Sequence, residues 1–155
     1  MTMTDKENTV EVAIRTADSL LEWDRILTEF ADVDFGSPRE ELLDIINDED
    51  EEQERRDLAE RALDIMDDEG RESLDWWHHI GHALDVEVTG RLVDGRWELS
   101  GVALLVGFGG PTVRLVAVDE CTIRVEVSWW GNSAERTIDV GLAGVMWQHA
   151  EEMAP

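Results

Sequence analysis

Residues 86–100 read VEVTGRLVDGRWELS, and this stretch decides the fold. Val86, Val88 and Leu92 follow the period of two that sends alternate side chains to one face of a strand. Asp94-Gly95 then supplies the strongest short hairpin signal, because a two-residue type I′ turn requires positive φ at both central positions. The spacing predicts a strand before this dipeptide and a returning strand over Trp97 to Phe108, with Gly101 as a bulge. Further along, Gly109-Gly110-Pro111 turns the chain, and Val113, Leu115 and Ala117 form a third strand. Asp119-Glu120 turns it again, and Ile123, Val125, Val127 and Trp129 form a fourth strand. Trp130-Gly131-Asn132-Ser133 reads as a turn into a short strand around Arg136 to Val140. Leu142 to Met153 closes as a helix with Val145, Met146 and His149 on its face.

Upstream of Val86 the period lengthens to that of helices. Residues 1–8 read as a frayed tail, and Thr9 to Ile14 alternates weakly through Val10, Val12 and Ile14 as a short strand would. Asp18 or Ser19 starts a helix whose Leu20, Trp23, Ile26, Leu27 and Phe30 make one apolar stripe; Phe35-Gly36 ends that unit. Ser37-Pro38-Arg39-Glu40 is a helix start, with serine as N-cap, proline at the first helical position and glutamate closing a capping box. The helix buries Leu42, Leu43, Ile45 and Ile46. Asp48 to Glu54 is expected to open the next helix, where carboxylates suit the positive end of the macrodipole. Its apolar face holds Leu58, Ala62, Ile65 and Met66, with Glu51–Arg55, Glu52–Arg56 and Asp57–Arg61 as i,i+4 pairs and Gly70 as the stop. A last helix spans about Glu72 to Leu84 with Leu74, Trp76, Trp77, Ile80 and Leu84. The fold class is therefore α+β: acidic N-terminal helices, an antiparallel meander of four to five strands and a C-terminal helix. The organisation is a tail (1–8), an acidic helical region (9–85) and a sheet with its helix (86–155), the last two forming one compact domain.

The 155 residues suffice for one ordinary domain, and a hydrophobic fraction of 43% is that of a globular chain. Cys121 is the single cysteine, so no intramolecular disulfide forms, which suits a reducing compartment. Met1 to Asn8 has neither the basic nor the apolar region of a secretory signal. The longest apolar run, Val102 to Phe108, is too short for a membrane span. A cytoplasmic protein is expected. The net charge is −24. Residues 1–85 carry 27 acidic and 8 basic side chains, while residues 86–155 carry 10 and 5. Such a charge excludes binding to nucleic acid or an anionic membrane through a basic patch. It favours a basic partner, a cation or life in high salt. One lysine, Lys6, against 12 arginines fits a GC-rich or salt-adapted source, although salt adaptation spreads carboxylates over every surface.

Val106 to Leu115 (VGFGGPTVRL), followed by Ile123 to Gly131 (IRVEVSWWG), resembles small proteins of phages and other mobile elements. These carry a GGP-x-V turn and strand, then a strand ending in a WWG or DWG turn, commonly after an acidic helical segment. The resemblance covers about residues 70–150. It implies an inhibitor of host defence, of the anti-restriction or anti-CRISPR kind, acting in the host cytoplasm if phage-encoded. It supplies no catalytic residues, and the shared Gly110, Pro111, Trp129 and Gly131 read as structural, with Gly110 expected at positive φ.

Few constellations carry chemistry. His78 and His82 stand at i,i+4 on one helix face, spaced to ligate a metal with His79 nearby and Glu72 or Asp75 as a carboxylate. They lack the glutamate directly after the first histidine that the zinc-protease motif needs. The alternative reading is a Trp/His-rich helix packing on the sheet. Gly107-Phe108-Gly109-Gly110 has no following lysine and reads as a hairpin turn rather than a phosphate loop, and Cys121 reads as a strand cysteine. Asp48 to Glu54 lacks the glycine and spacing of a calcium loop. Alternation puts Trp129 and Trp130 on opposite faces, one in the core and Trp130 exposed as an interface anchor. An α-helix rises about 1.5 Å per residue and B-DNA carries about one charge per 1.7 Å, so carboxylates on two or three helices approach the charge density of DNA.

The leading expectation is a non-enzymatic inhibitor without a cofactor or metal. Its acidic face would cover a basic surface on a host nucleic-acid-processing complex, with no direct contact to nucleic acid or membrane, and a homodimer is compatible. The residues that would carry it are Asp48, Glu49, Asp50, Glu51, Glu52, Glu54, Asp57, Glu60, Asp64, Asp67, Asp68 and Glu69, with Trp130. The alternatives are a metal-binding protein or metal-dependent enzyme using His78, His79 and His82, and an acidic structural protein of a salt-adapted host or virus.

Overall fold

A computed structural model describes residues 5–33, 37–107 and 110–153. The elements run α1 (Asp5–Glu29), α2 (Pro38–Asn47), α3 (Gln53–Glu69), α4 (Trp77–Gly81), β1 (Asp85–Val93), β2 (Arg96–Gly107), β3 (Thr112–Ala117), β4 (Thr122–Trp129), β5 (Asn132–Asp139) and α5 (Leu142–Met153). This is the expected α+β arrangement. The chain forms two compact units, one of residues 1–21 with 76–155 and one of residues 22–75.

The first unit is built on a five-stranded antiparallel meander in the order β1-β2-β3-β4-β5. Two of its hairpins close through positive-φ dipeptides, Asp94 (51°) with Gly95 (77°) and Trp130 (49°) with Gly131 (81°), the backbone that a type I′ turn demands. Register sets the two faces. Leu104, Leu115 and Val125 stand in one row and Val102, Ala117 and Ile123 in the next. All six are buried together with Val127, and Leu142, Ala143, Met146 and Ala150 of α5 are buried with them, α5 lying against β2, β3 and β4. Each large side chain so buried contributes about 1.5–3 kcal/mol. The register between β1 and β2 shifts at Thr89/Gly90, where Ser100 is the extra residue on β2 beside Gly101. A Cβ at Gly90 would stand 2.0 Å from the Trp97 indole, so the glycine lets that ring lie flat across the strand.

The second unit is helical. Trp23, Ile26, Phe30, Val33, Leu42, Ala59, Ala62, Ile65, Met66 and Leu74 are buried, and α2 and α3 lie side by side. Gly70 (φ 69°) ends α3 in the left-handed conformation, its N–H donating to the Met66 carbonyl, as expected of a C-terminal glycine. Arg71 turns back over Trp23, its guanidinium carbon 4.6 Å from the ring centroid, and the Trp23 indole N–H donates to the Asp75 carbonyl at 2.9 Å.

Several expectations fail for local reasons. Thr9 to Ile14 is not a strand: α1 runs from Asp5 through it, because Thr9, Ala13, Ala17 and Leu20, all buried, make a helical stripe that outweighs the alternation of Val10, Val12 and Ile14. Asp5 to Asn8 is accordingly helix rather than tail. Asp48 to Glu52 does not open α3 but connects it to α2: the Asp48 carboxylate accepts the Asp50 N–H at 3.0 Å, a local turn that competes with helix, and Glu52 is the N-cap. Ser37 holds the N-cap of α2 without a side-chain bond, so no capping box forms, and Leu43 is exposed; Phe35-Gly36 lies outside the described residues. The helix expected over Glu72 to Leu84 shrinks to α4. The Asp75 carbonyl is taken by Trp23, and the His79 N–H bonds three residues back, to Trp76 at 3.1 Å. Leu74, Trp76 and Ile80 are buried, whereas Trp77 and Leu84 are exposed. β5 begins earlier than the sequence suggests, at Asn132.

Candidate functional site: an acidic helical surface and an exposed tryptophan

Asp48, Glu49, Asp50, Glu51 and Glu52 lie on the α2–α3 connection, and Glu54, Asp57, Glu60, Asp64, Asp67, Asp68 and Glu69 on α3. Eleven of these are exposed and Glu51 is half-buried. The cause is the amphipathic spacing of α3. Ala59, Ala62, Ile65 and Met66 are buried, which leaves Asp57, Glu60, Asp64 and Asp67, three or four residues apart, on the wet side. All twelve therefore belong to the unit of residues 22–75, whose 22 carboxylates face 6 arginines, a net of −16 within the chain's −24.

What those arginines do decides the character of the surface. Arg25 pairs with Glu54 at 3.0 Å, Arg39 with Asp67 at 2.5 Å and Arg61 with both oxygens of Glu22. Arg55 meets Glu29 at 2.8 Å, Asp32 at 3.7 Å and Glu51 at 3.5 Å. Arg71 pairs with Glu69, and Arg56 donates to the Ile46 carbonyl at 3.0 Å. Of the three i,i+4 pairs expected, only Glu51–Arg55 forms among the described residues; Arg56 and Arg61 reach out of their own helix instead. Burial works against the charged form of Arg55, yet its hydrogen bond to Glu29 and the charges of Asp32 and Glu51 raise its pKa. Arg61 is raised first by its hydrogen bond to Glu22 and then by that carboxylate's charge, with Asp64 and Asp68 adding to it. Glu49, Glu52 and Glu60 take no arginine within 4.0 Å among the described residues, and Asp57 accepts only the neutral Gln53 amide, at 2.7 Å.

Trp130 belongs to the other unit. It is not a strand residue but the first central residue of the β4–β5 turn, 79% exposed at φ 49°. Trp129, at the end of β4, is half-buried and meets it edge-on at 5.8 Å. A groove of about 680 Å³ lies there between Gly110, Thr112, Ser128, Trp129, Trp130, Gly131, Asn132 and Ser133. A neighbouring groove of about 600 Å³ shares Thr112, Ser128 and Ser133 and continues to Arg114, Glu126 and Glu135. Sequence reasoning missed this outer sheet face. Register puts Thr112, Ser128 and Ser133 in one cross-strand row and Arg114, Glu126 and Glu135 in the next. Glu87, Arg114, Glu126, Arg124 and Glu135 form a continuous ladder of ion pairs. The charges alternating with the core residues of β3 and β4 were the available signal; the pairing needs the register. Gly110 does not take the positive φ expected of it, the described glycines there being Gly70, Gly95 and Gly131, and an added Cβ at Gly110 would lie in ordinary contact with the Trp129 ring, at 3.8 Å.

The histidines come together, though not as a ligand cage. The His78 and His82 rings stack at 3.9 Å, the His82 Nδ1 lies 3.0 Å from the His78 carbonyl, His79 packs on Trp76 at 5.2 Å and His149 on Trp77 at 5.8 Å. The Asp75 carboxylate accepts the Ser73 hydroxyl at 2.8 Å. Among the described residues no group of three or more His, Cys, Asp or Glu side chains converges to hold a metal ion. Cys121 is in the β3–β4 turn rather than a strand, and exposed. Its N–H donates to the Asp119 carboxylate at 2.8 Å, as does that of Thr122, and these bonds, the one from Cys121 first, hold the Asp119 pKa below the ordinary value. No described helix is long and apolar enough to cross a membrane. No protein-family model, curated protein or solved structure matches the chain.

Proposed function

We propose that the chain is a non-enzymatic inhibitor from a phage or mobile element. Its acidic helical unit would occupy a basic, nucleic-acid-binding surface of a host defence complex such as a restriction enzyme or a CRISPR–Cas assembly. The observation that carries this reading is the disposition of charge in residues 22–75. Five of six arginines are engaged by carboxylates of the same unit, and on α3 and the loop before it Asp48, Glu49, Asp50, Glu52, Asp57, Glu60, Asp64 and Asp68 take no arginine among the described residues. α3 has 17 residues and is therefore about 25 Å long. That length of B-DNA carries about 15 phosphate charges; α3 alone supplies a net of −4, and the whole unit of residues 22–75, with its other helical segments and loops, supplies −16. A surface so charged attracts a DNA-binding cleft at long range and speeds encounter, and it competes with DNA by occupying the cleft. Trp130 would supply a separate aromatic contact.

The test is DNA cleavage by a purified restriction enzyme or Cas effector complex of the host, measured with the parent chain and with a variant reversing Glu49, Glu52, Asp57 and Glu60 to lysine. The parent should inhibit, less so as salt rises, and the variant should lose inhibition at least about tenfold while keeping its far-UV circular dichroism. A folded variant that inhibits as well as the parent at moderate ionic strength removes charge as the recognition element. An acidic protein of a salt-adapted source would behave differently, unfolding as salt is withdrawn; a parent chain that is fully folded at low salt argues against that alternative.

A further inference from the structure

β1 and β5 end the sheet, so each presents a row of backbone N–H and C=O groups that no described strand takes up. The two edges differ in how they meet that liability. On the face shared with α5, β5 places Ala134, Arg136 and Ile138 opposite Val127, Val125 and Ile123. Arg136 is exposed there, an inward charge of the kind that keeps a sheet edge from pairing. β1 carries Val86, Val88, Gly90 and Leu92 on the same face, with no charge among them, and Leu92 is 77% exposed. Its opposite face reads Asp85, Glu87, Thr89, Arg91 and Val93.

We infer that β1 is the contact edge for a second copy of this chain, pairing antiparallel with its own counterpart about a twofold axis at Thr89. A twofold axis perpendicular to the sheet keeps each face with its like, so only residues of the same parity meet. Centring on Thr89 is the choice that pairs all nine residues of β1. In that register Glu87 faces the second copy's Arg91, and Arg91 its Glu87, two opposite-charge cross-strand pairs from one self-complementary edge. Thr89 meets itself, a favourable β-branched pair. On the other face Val86 meets Leu92, which covers the most exposed leucine of the strand, and Val88 meets Gly90, beside the Trp97 ring. Sliding the register by two residues toward the hairpin tip sets Arg91 against Thr89 and removes both charge pairs, and sliding it by two the other way sets Arg91 against Asp85 but leaves Leu92 and Val93 beyond the paired strand. The contact joins two five-stranded sheets into one of ten.

Two chains of −24 repel at a distance, so this association tightens as salt screens that repulsion. The acidic-face inhibition weakens with salt, so the two readings fail independently. Sedimentation equilibrium of the full chain from low to molar sodium chloride should show a monomer–dimer equilibrium that shifts to dimer with salt. Leu92→Lys, which adds the inward charge that Arg136 gives β5, should leave a monomer with unchanged circular dichroism. Arg91→Glu, which turns two attractive pairs repulsive, should raise the dimer Kd about tenfold or more. A parent that stays monomeric at every salt concentration, or a dimer that neither substitution weakens, overturns the inference.

Discussion

Arg71 ties the segment after α3 to Trp23 of α1, and replacing it measures that contact. Its side chain is 5% exposed and its partner Glu69 is 46% exposed, while its guanidinium lies 4.6 Å from the centroid of Trp23. The ion pair and the ring contact differ in worth. A carboxylate half in water stays solvated when the arginine leaves, so the ion pair contributes only about 0–1 kcal/mol. The desolvated cation–π contact contributes about 1–2 kcal/mol. Arg71→Met keeps an apolar stem of similar length and removes the charge, so it should cost roughly 1–3 kcal/mol. Arg71→Ala also exposes the space of two methylenes, about 0.8 kcal/mol each, for a total of roughly 2.6–4.6 kcal/mol. At about 3 °C per kcal/mol for a chain of this size, the melting temperature followed by far-UV circular dichroism should fall by about 3–9 °C for the methionine variant and about 8–14 °C for the alanine variant. Arg71→Lys should behave nearer to methionine than to the parent, since an ammonium keeps the charge without the planar stack. A cycle with Trp23→Phe isolates the contact. A methionine variant as stable as the parent, or a cycle with no coupling between the two positions, refutes the reasoning.

Two further substitutions separate strain and titration from packing. Trp130→Asn should raise the melting temperature by about 2–4 °C, because a non-glycine residue at φ 49° costs about 1 kcal/mol that asparagine relieves, and the tryptophan it removes is largely exposed; a lower melting temperature would show the indole to be a structural member of the hairpin. Asp119 has a depressed folded pKa, so the stability it contributes is present above the unfolded value and lost as pH falls through the folded one. The melting-temperature gap between parent and Asp119→Ala should therefore be widest at neutral pH and shrink in acid, and a gap of constant size down to about pH 2 would refute the titration.

The sheet was more legible than the helices because its signals are local and concordant. Asp94-Gly95 sets a turn, and the alternation of Ile123, Val125 and Val127 sets a face, so β2, β3, β4 and α5 fall close to where the sequence places them. The helical half contains competing signals. The Thr9 to Ile14 alternation is overridden by a stripe three and four residues apart, which becomes visible only when Thr9, polar but fully buried, is counted with Ala13 and Ala17. The break before α4 depends on Trp23, 52 residues from Asp75, and nothing near residue 75 announces it. Among candidate site residues the carboxylates were legible as exposed by their helical phase. Which of them meet arginines was not, since most of the pairs join residues far apart in sequence. The outer-face ladder from Glu87 to Glu135 likewise needs four strand registers before any of its pairs can be named.

Those distant pairs also bear on why the acidic unit is acidic. Carboxylates kept only for solubility are most readily balanced by arginines four residues away on the same helix, and the sequence offers Glu52–Arg56 and Asp57–Arg61 for that purpose. The fold declines both offers. Arg61 reaches Glu22, 39 residues away, Arg55 reaches Glu29, Arg25 reaches Glu54 and Arg39 reaches Asp67, so the cations join one helix to another; on the wet stripe of α3 Asp67 takes one of them, while Asp57, Glu60 and Asp64 take none among the described residues. In the sheet unit the opposite holds: Arg114 and Arg124 lie between Glu87, Glu126 and Glu135 on the open face, and the charges there cancel locally. The chain thus pairs Glu87, Glu126 and Glu135 with arginines on its open sheet face, while eight of the twelve carboxylates on α3 and the loop before it take no arginine among the described residues. Adaptation to a salty solvent gives no physical reason for that contrast, whereas a basic partner meeting only the helical unit does.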